Sequence, residues 1–209
     1  MITLNQLTTF CKAAATQALV DAINQTLVRC DINTPRRLRY FMAQAYHESQ
    51  AFTHFAEDLY YLDPNRLVAV WPRHFTMQLT DASKAYAPNY VKNSQKLGSL
   101  IYANEYGNGD VASGDGYNFR GRGIFGLTFR SNYAACSTDV YGDDRLVQNP
   151  DLVAQLPGAV DSAGWFWSHH GFNALADADA LTSMTEVLNG SAITVPARLQ
   201  VLNVANSIF

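Results

Sequence analysis

The stretch Ile32–Ser49, INTPRRLRYFMAQAYHES, reads as one amphipathic helix and sets the class of the whole chain. Thr34 offers an N-cap hydroxyl, and Pro35 falls at the first helical position, where a missing N–H costs nothing. Leu38, Phe41, Met42, Ala45 and Tyr46 recur at helical spacing and predict a buried stripe. The row Phe41, Ala45, Glu48, Phe52 then puts a carboxylate where an apolar side chain would fit, just before the helix is expected to fray near Gln50. A carboxyl at the negative end of a helix, among apolar neighbours, holds its proton more readily than one in water, which is what a general acid needs. A buried glutamate satisfied by an arginine accounts for the same pattern equally well.

Outward from this helix the first sixty residues stay helical. Leu4 to about Lys12 is short and amphipathic, and Gln17–Val28 carries Leu19, Val20, Ile23 and Leu27 at helical spacing. From 62 to 100 the texture changes. LDPNRLVAVWPRHF, TDASKAYAPNYV and NSQKLGSLIYANEY are short candidate helices broken by Pro64, Pro72, Pro88 and Gly98, and they predict a small helical insert. Next comes GNGDVASGDGYNFRGRG, a glycine-rich run too long for an idle loop. Helices resume in LVQNPDLVAQLPGAVDSAGWFWSHHG, ALTSMTEVLNG and VPARLQVLNVANSIF. The expected class is therefore mainly α, with at most a short β-hairpin, placed in the glycine-rich region. The expected division is a principal domain from 1–61 and 101–209, with 62–100 inserted.

The 209 residues are 48% hydrophobic and 16% charged, which suits one compact domain with a small appended module. A net charge of −3 argues against a general nucleic-acid binder but leaves room for a local basic cleft. Cys11, Cys30 and Cys136 match no zinc spacing. They are expected as reduced thiols, with a Cys11–Cys30 disulfide as the alternative. The N-terminal MITLNQLTTFCKAAATQ lacks the pattern of a signal peptide, and no apolar run approaches the ~20 residues of a membrane span. A soluble monomer made in a cytoplasm, with no membrane insertion, is the expectation.

Glu57 follows Glu48 by nine residues, with a helix end between, so the two carboxylates could face one another across a cleft. Paired carboxylates are the usual equipment of glycoside hydrolysis. Beside Asp58, Glu57 also reads as a surface acid. In FRGRGIFGLTFRSNY, Phe119–Tyr133, Gly121 and Gly123 allow a close backbone approach, Arg120, Arg122 and Arg130 cluster, and Thr128 and Asn132, four apart, could share a helix face. His47, His54 and His74 have no convincing ligand spacing, and Asp110 and Asp115 do not fit a calcium loop, so no metal or cofactor is expected. Trp165, Phe166, Trp167 and Phe172 are read as core. Trp71, Arg73, Phe75, Tyr86 and Tyr90 are candidate surface contacts of the insert for sugar or peptide.

Taken in order, AYHES with a second glutamate shortly after, YANEYGNGDVASGDGYNFRGRGIFGLTFRSNY, and MTEVLNG followed by Arg198 resemble glycoside hydrolase family 19. That family holds plant-type chitinases and many phage endolysins, and the endolysin branch is the nearer likeness. The likeness covers roughly 35–61 and 100–200 and touches 62–100 little. It implies a lysozyme-like, bilobal helical fold and cleavage of β-1,4 bonds between amino sugars, of peptidoglycan in the endolysin branch or of chitin. By position it implies Glu48 as general acid, Glu57 as the carboxylate that activates water, and Thr128 as the hydroxyl that holds it. Asn132 and Asn189 would line the sugar cleft, with Arg198 paired to the acid region and Arg122 and Tyr117 as further substrate contacts. It also implies no cofactor, storage in the host cytoplasm and release by a holin. The chain departs from the family at Gly126, where glutamine is usual, at Glu186-Val187 in place of a basic pair, at Ser191, and at Glu105. A non-catalytic wall-binding protein and an antibacterial toxin are the other readings open to such a sequence.

Overall fold

The computed structural model describes all 209 residues. Two helices, α1 (Leu4–Cys11) and α2 (Gln17–Arg29), precede the decisive one, α3 (Pro35–Glu48). Thr34 caps α3 by accepting from Arg37 N at 3.2 Å, with Pro35 inside the first turn, as its sequence predicts. Phe41, Met42 and Ala45 are fully buried, while Tyr46 is only partly so. Burying a side chain such as Phe41 stabilises the fold by ~1.5–3 kcal/mol.

After Tyr141 the chain builds the rest of the large lobe from α9 (Gly158–His169), α10 (Phe172–Asp177), α11 (Leu181–Asn189) and α12 (Val195–Ile208). These pack around α3 in a core that joins Phe41 and Met42 to Trp167, Phe172, Met184 and Leu202. Trp167 lies edge-on to Phe41 at 5.4 Å and to Phe172 at 5.2 Å, so the aromatic run of α9 makes core, as read. A second cluster, with Tyr133, Cys136 and Trp165, surrounds α7 (Arg130–Tyr141) and α8 (Arg145–Gln148). The cysteines are all buried and free.

The segment 62–100 holds α4 (Pro64–Val70), the two-residue strands β1 (Phe75–Thr76) and β2 (Ala85–Tyr86), and α5 (Ser94–Ile101). Its core gathers Leu67, Phe75, Ala87 and Leu97, but Leu59, Ile101, Tyr102 and Tyr117 complete it from outside. Phe75 is 1% exposed, so it is core and not a surface contact. The pairing of β1 with β2 is parallel, and it is here rather than in the glycine-rich run, where a hairpin was expected. The stretch read as a helix around TDASKAY is turn and strand. Asp81 accepts from Ser83 N at 3.0 Å and Ser83 Oγ at 2.6 Å, offering the backbone a turn in place of a helix. The glycine-rich run contributes a 3-10 turn at Val111–Ser113, one turn of α-helix, α6 (Asp115–Asn118), and isolated bridges of Arg122 with Ala56 and Leu127.

Candidate functional site

The end of α3 decides where the acids go. Ser49 Oγ donates to Ala45 O at 2.6 Å and accepts from Phe52 N at 2.9 Å, which closes the helix one residue after Glu48. Gln50, Ala51 and Phe52 then all take positive φ, at 49°, 61° and 63°. Consecutive left-handed residues without glycine are costly and reverse the chain sharply. The returning segment runs beside the glycine-rich loop: Gly123 N donates to Phe55 O at 2.8 Å, and Glu57 N to Gly121 O at 2.9 Å. Glu57 therefore comes back to the side of the molecule where Glu48 ends the helix.

Glu48 and Glu57 line one cleft of about 640 Å³ with Gln50, His54, Tyr102, Gly121, Phe125, Gly126, Thr128, Leu188 and Asn189. Glu48 Oε1 accepts from Arg198 Nη2, and Glu48 Oε2 accepts no protein hydrogen bond. Arg198 is 1% exposed and is held in turn by Gln44 Oε1 and by Thr194 Oγ1 at 3.0 Å. The arginine that would satisfy a structural glutamate is thus present, yet it occupies only one oxygen of a carboxylate that opens on the cleft.

Glu57 is held differently. Gly121 N donates to its Oε1 at 2.7 Å and Tyr102 OH to its Oε2 at 2.9 Å. Burial pushes the Glu57 carboxyl above the ordinary range, and the Gly121 and Tyr102 hydrogen bonds, with Arg120 and Arg122 nearby, pull it back in part. A Cβ on Gly121 would lie 3.4 Å from Thr128 Oγ1 and 3.5 Å from Glu57 Oε1, so the hydroxyl and the carboxylate flank the same backbone point. Gly123 has φ +75°, and a Cβ there would meet Ser162 Oγ at 2.3 Å. The glycines of the Arg-Gly-Arg-Gly run thus approach a carboxylate and a helix.

The structure gathers Glu48, Glu57, Thr128 and Asn189 in the cleft. Asn132 lines an adjoining groove of about 230 Å³ with Trp165, Phe166, His169 and His170, its Nδ2 donating to Thr128 O at 2.9 Å. Arg198 lies beneath the cleft. Arg122 and Tyr117 do not line it. Arg122 is 3% exposed and donates to Asp151 Oδ1 at 2.7 Å and Asn118 O at 2.6 Å, so it braces the loop instead of meeting substrate. Tyr117 packs on the core of the small lobe under the Arg120 guanidinium, 4.2 Å from its ring. Arg130 pairs with Asp115 at 3.3 Å, and the expected arginine cluster is dispersed among three local partners. Asp110 and Asp115 serve the turn, accepting from Ser113 N and Gly109 N at 3.0 Å each. Tyr102 was missed by the sequence reading; its one signal is its place at the head of the YANEYGNGD run.

A family model described as chitinase class I matches residues 74–190, including most of the segment set apart at 62–100. A Haemophilus influenzae (strain ATCC 51907 / DSM 11121 / KW20 / Rd) protein described as glycosyl hydrolase family 19 domain-containing is 30% identical over 176 residues, 84% of this chain and 82% of that protein. The crystal structure of a bacterial family 19 chitinase superposes with a TM-score of 0.62 at 18% identity, covering 99% of this chain and 94% of the other. Chitinase C from Streptomyces griseus HUT6037 superposes with a TM-score of 0.58 at 18% identity, covering 99% and 91%.

Proposed function

The chain belongs to glycoside hydrolase family 19, and from that premise we propose that it cleaves the β-1,4 glycan of bacterial peptidoglycan, as a phage endolysin does. The observation that carries glycosidic chemistry to named residues is the opening of Glu48 and Glu57 on one cleft. In the proposed reaction Glu48 gives its proton to the leaving glycosidic oxygen through Oε2 as the bond to the anomeric carbon breaks. Glu57 takes a proton from a water whose oxygen bonds to that carbon, and Thr128 Oγ1 helps to hold the water. Asn189 lines the same cleft and would hydrogen-bond the sugars.

The choice of peptidoglycan is supported by the distribution of charge. Residues 62–100 carry Arg66, Arg73, Lys84, Lys92 and Lys96 against Asp63 and Asp81, a net +3 within a chain of net −3. All five cations are exposed and none is in an ion pair, whereas six of the ten outside this segment, Arg29, Arg37, Arg122, Arg130, Arg145 and Arg198, are paired. The parallel strand register, with Phe75 opposite Ala85 and Ala85 N donating to His74 O at 2.9 Å, brings the residues just before the two strands, Arg73 and Lys84 among them, to the same end of the pair. Peptidoglycan bears carboxylates on its peptide stems; chitin bears none. A small lobe with surplus positive charge suits the first polymer and gains nothing from the second.

Chitin cleavage is the second reading, favoured by the chitinases among the similar structures. Mass spectrometry of digests of purified peptidoglycan and of chitin separates the two. New reducing ends from peptidoglycan support the proposal, and products from chitin alone overturn it. The lysis role adds storage in the host cytoplasm and release by a holin. Expression in a host with and without a holin tests this, and lysis that needs no holin would remove that part.

A further inference from the structure

We infer that Tyr102 is a positioning residue: its hydroxyl fixes Glu57 Oε2 for proton abstraction from water and ties that carboxylate to the small lobe. The inference rests on Glu57 being the base. A carboxylate held through one oxygen can still swing. Here Gly121 N–H holds Oε1 at 2.7 Å and the Tyr102 hydroxyl holds Oε2 at 2.9 Å, so rotation about the terminal bond would break both.

Tyr102 is itself fixed without help from Glu57. It follows α5 directly, and its N–H donates to Gly98 O at 3.3 Å. Its carbonyl accepts from Asn108 Nδ2 at 2.8 Å, and its ring stands edge-on to Phe129 at 5.5 Å. The ring also packs on the core of the small lobe. The phenol is therefore a support for the carboxylate and not a passenger on it.

The groups that face Glu57 are few. Arg120 and Arg122 come from the glycine-rich loop and Tyr133 from α7. His54 and Asp58 come from its own segment, and Glu48 from the other side of the cleft. Tyr102 alone donates to Oε2. A hydrogen bond to the ionised carboxylate favours that form and opposes the burial that pushes Glu57 up. Burial and the neighbouring carboxylate push the Tyr102 hydroxyl itself far above its ordinary range, so it stays an O–H donor wherever the enzyme works.

Tyr102→Phe keeps the ring and its packing and removes only the donor. kcat and KM are measured against pH on solubilised glycan fragments that the parent cleaves. We expect kcat to fall about tenfold with KM within about twofold. We expect the acidic limb of the kcat profile to move up by about one pH unit. Unchanged kcat and an unmoved limb would overturn the inference. A change in KM and melting temperature with the limb unmoved would reduce Tyr102 to a structural role. The premise is tested apart from this with Glu57→Ala and azide, an anion that attacks the anomeric carbon without a base. Appearance of the glycosyl azide supports Glu57 as base; a variant that is inert to azide sinks the base reading whatever Tyr102→Phe does.

Discussion

Arg198→Met removes every donor beneath Glu48 while nearly conserving side-chain volume. Arg198 is 1% exposed and spends its guanidinium on Glu48, Gln44 and Thr194. Gln44 is fully buried and its Nε2 already has no partner, so the substitution leaves both ends of the amide unpaired. Stranding a buried acceptor costs about 1–3 kcal/mol. Glu48 loses its cation, but its side chain is 24% exposed and water replaces part of the loss. The ~3–5 kcal/mol for an uncompensated buried charge falls there to about 1–2 kcal/mol. The expected loss is about 2–5 kcal/mol, a large part of the ~5–15 kcal/mol of a typical domain. Urea unfolding measures it by linear extrapolation. Combined with Glu48→Gln, which removes the charge that Arg198 holds, the cycle should return about 1–2 kcal/mol of coupling. A single variant within about 0.5 kcal/mol of the parent, the ordinary scatter of surface changes, would refute the buried network.

Glu48→Gln should abolish wall hydrolysis in a protein with unchanged circular dichroism; substantial lysis by the folded variant removes Glu48 as the acid. Glu57→Gln should cost more than about tenfold in rate, ~1.4 kcal/mol, and a smaller loss makes Glu57 a bystander. The raised Glu57 carboxyl also predicts a sign for stability. Between the unfolded carboxylate range, about 4.3, and the higher folded value, the folded state binds more protons, so stability falls as pH rises through that window. Glu57→Gln should lack this component, and parallel pH–stability curves for parent and variant would contradict it. Gly123→Ala forces a Cβ to 2.3 Å from Ser162 Oγ at φ +75°. A loss of about 1–3 kcal/mol by thermal or urea unfolding is expected, and no loss would mean the loop backs away from α9. Reversing Arg73 and Lys84 to glutamate should weaken binding to purified sacculi and flatten its salt dependence; unchanged binding at low salt would leave the lobe's charge without a role.

The helices were legible because their signals are local. The stripe from Leu38 to Tyr46 and the Thr34-Pro35 start fix α3 within the chain's own first turns, and the turn of the chain at Ser49 follows close upon Glu48. The strands were misplaced because two-residue pairings have no period to read: β1 and β2 exist through contact with each other. The arginines of the glycine-rich run look alike in sequence. Only packing sends Arg122 to Asp151, Arg130 to Asp115 and Arg120 to the Tyr117 ring.

The same division runs through the site. By itself the sequence determined a mainly helical chain, a carboxylate at the end of α3, a second nine residues on, and the glycines that a close approach would need. The tertiary structure decided what those residues touch. It brought Arg198 up from α12 beneath Glu48, across a sequence separation of 150 residues, and set the Gly121 N–H and the Tyr102 hydroxyl on the two oxygens of Glu57. Helix propensity is written over a few neighbouring residues. The partners of a buried charge are chosen by where distant segments close, and no local pattern carries that choice.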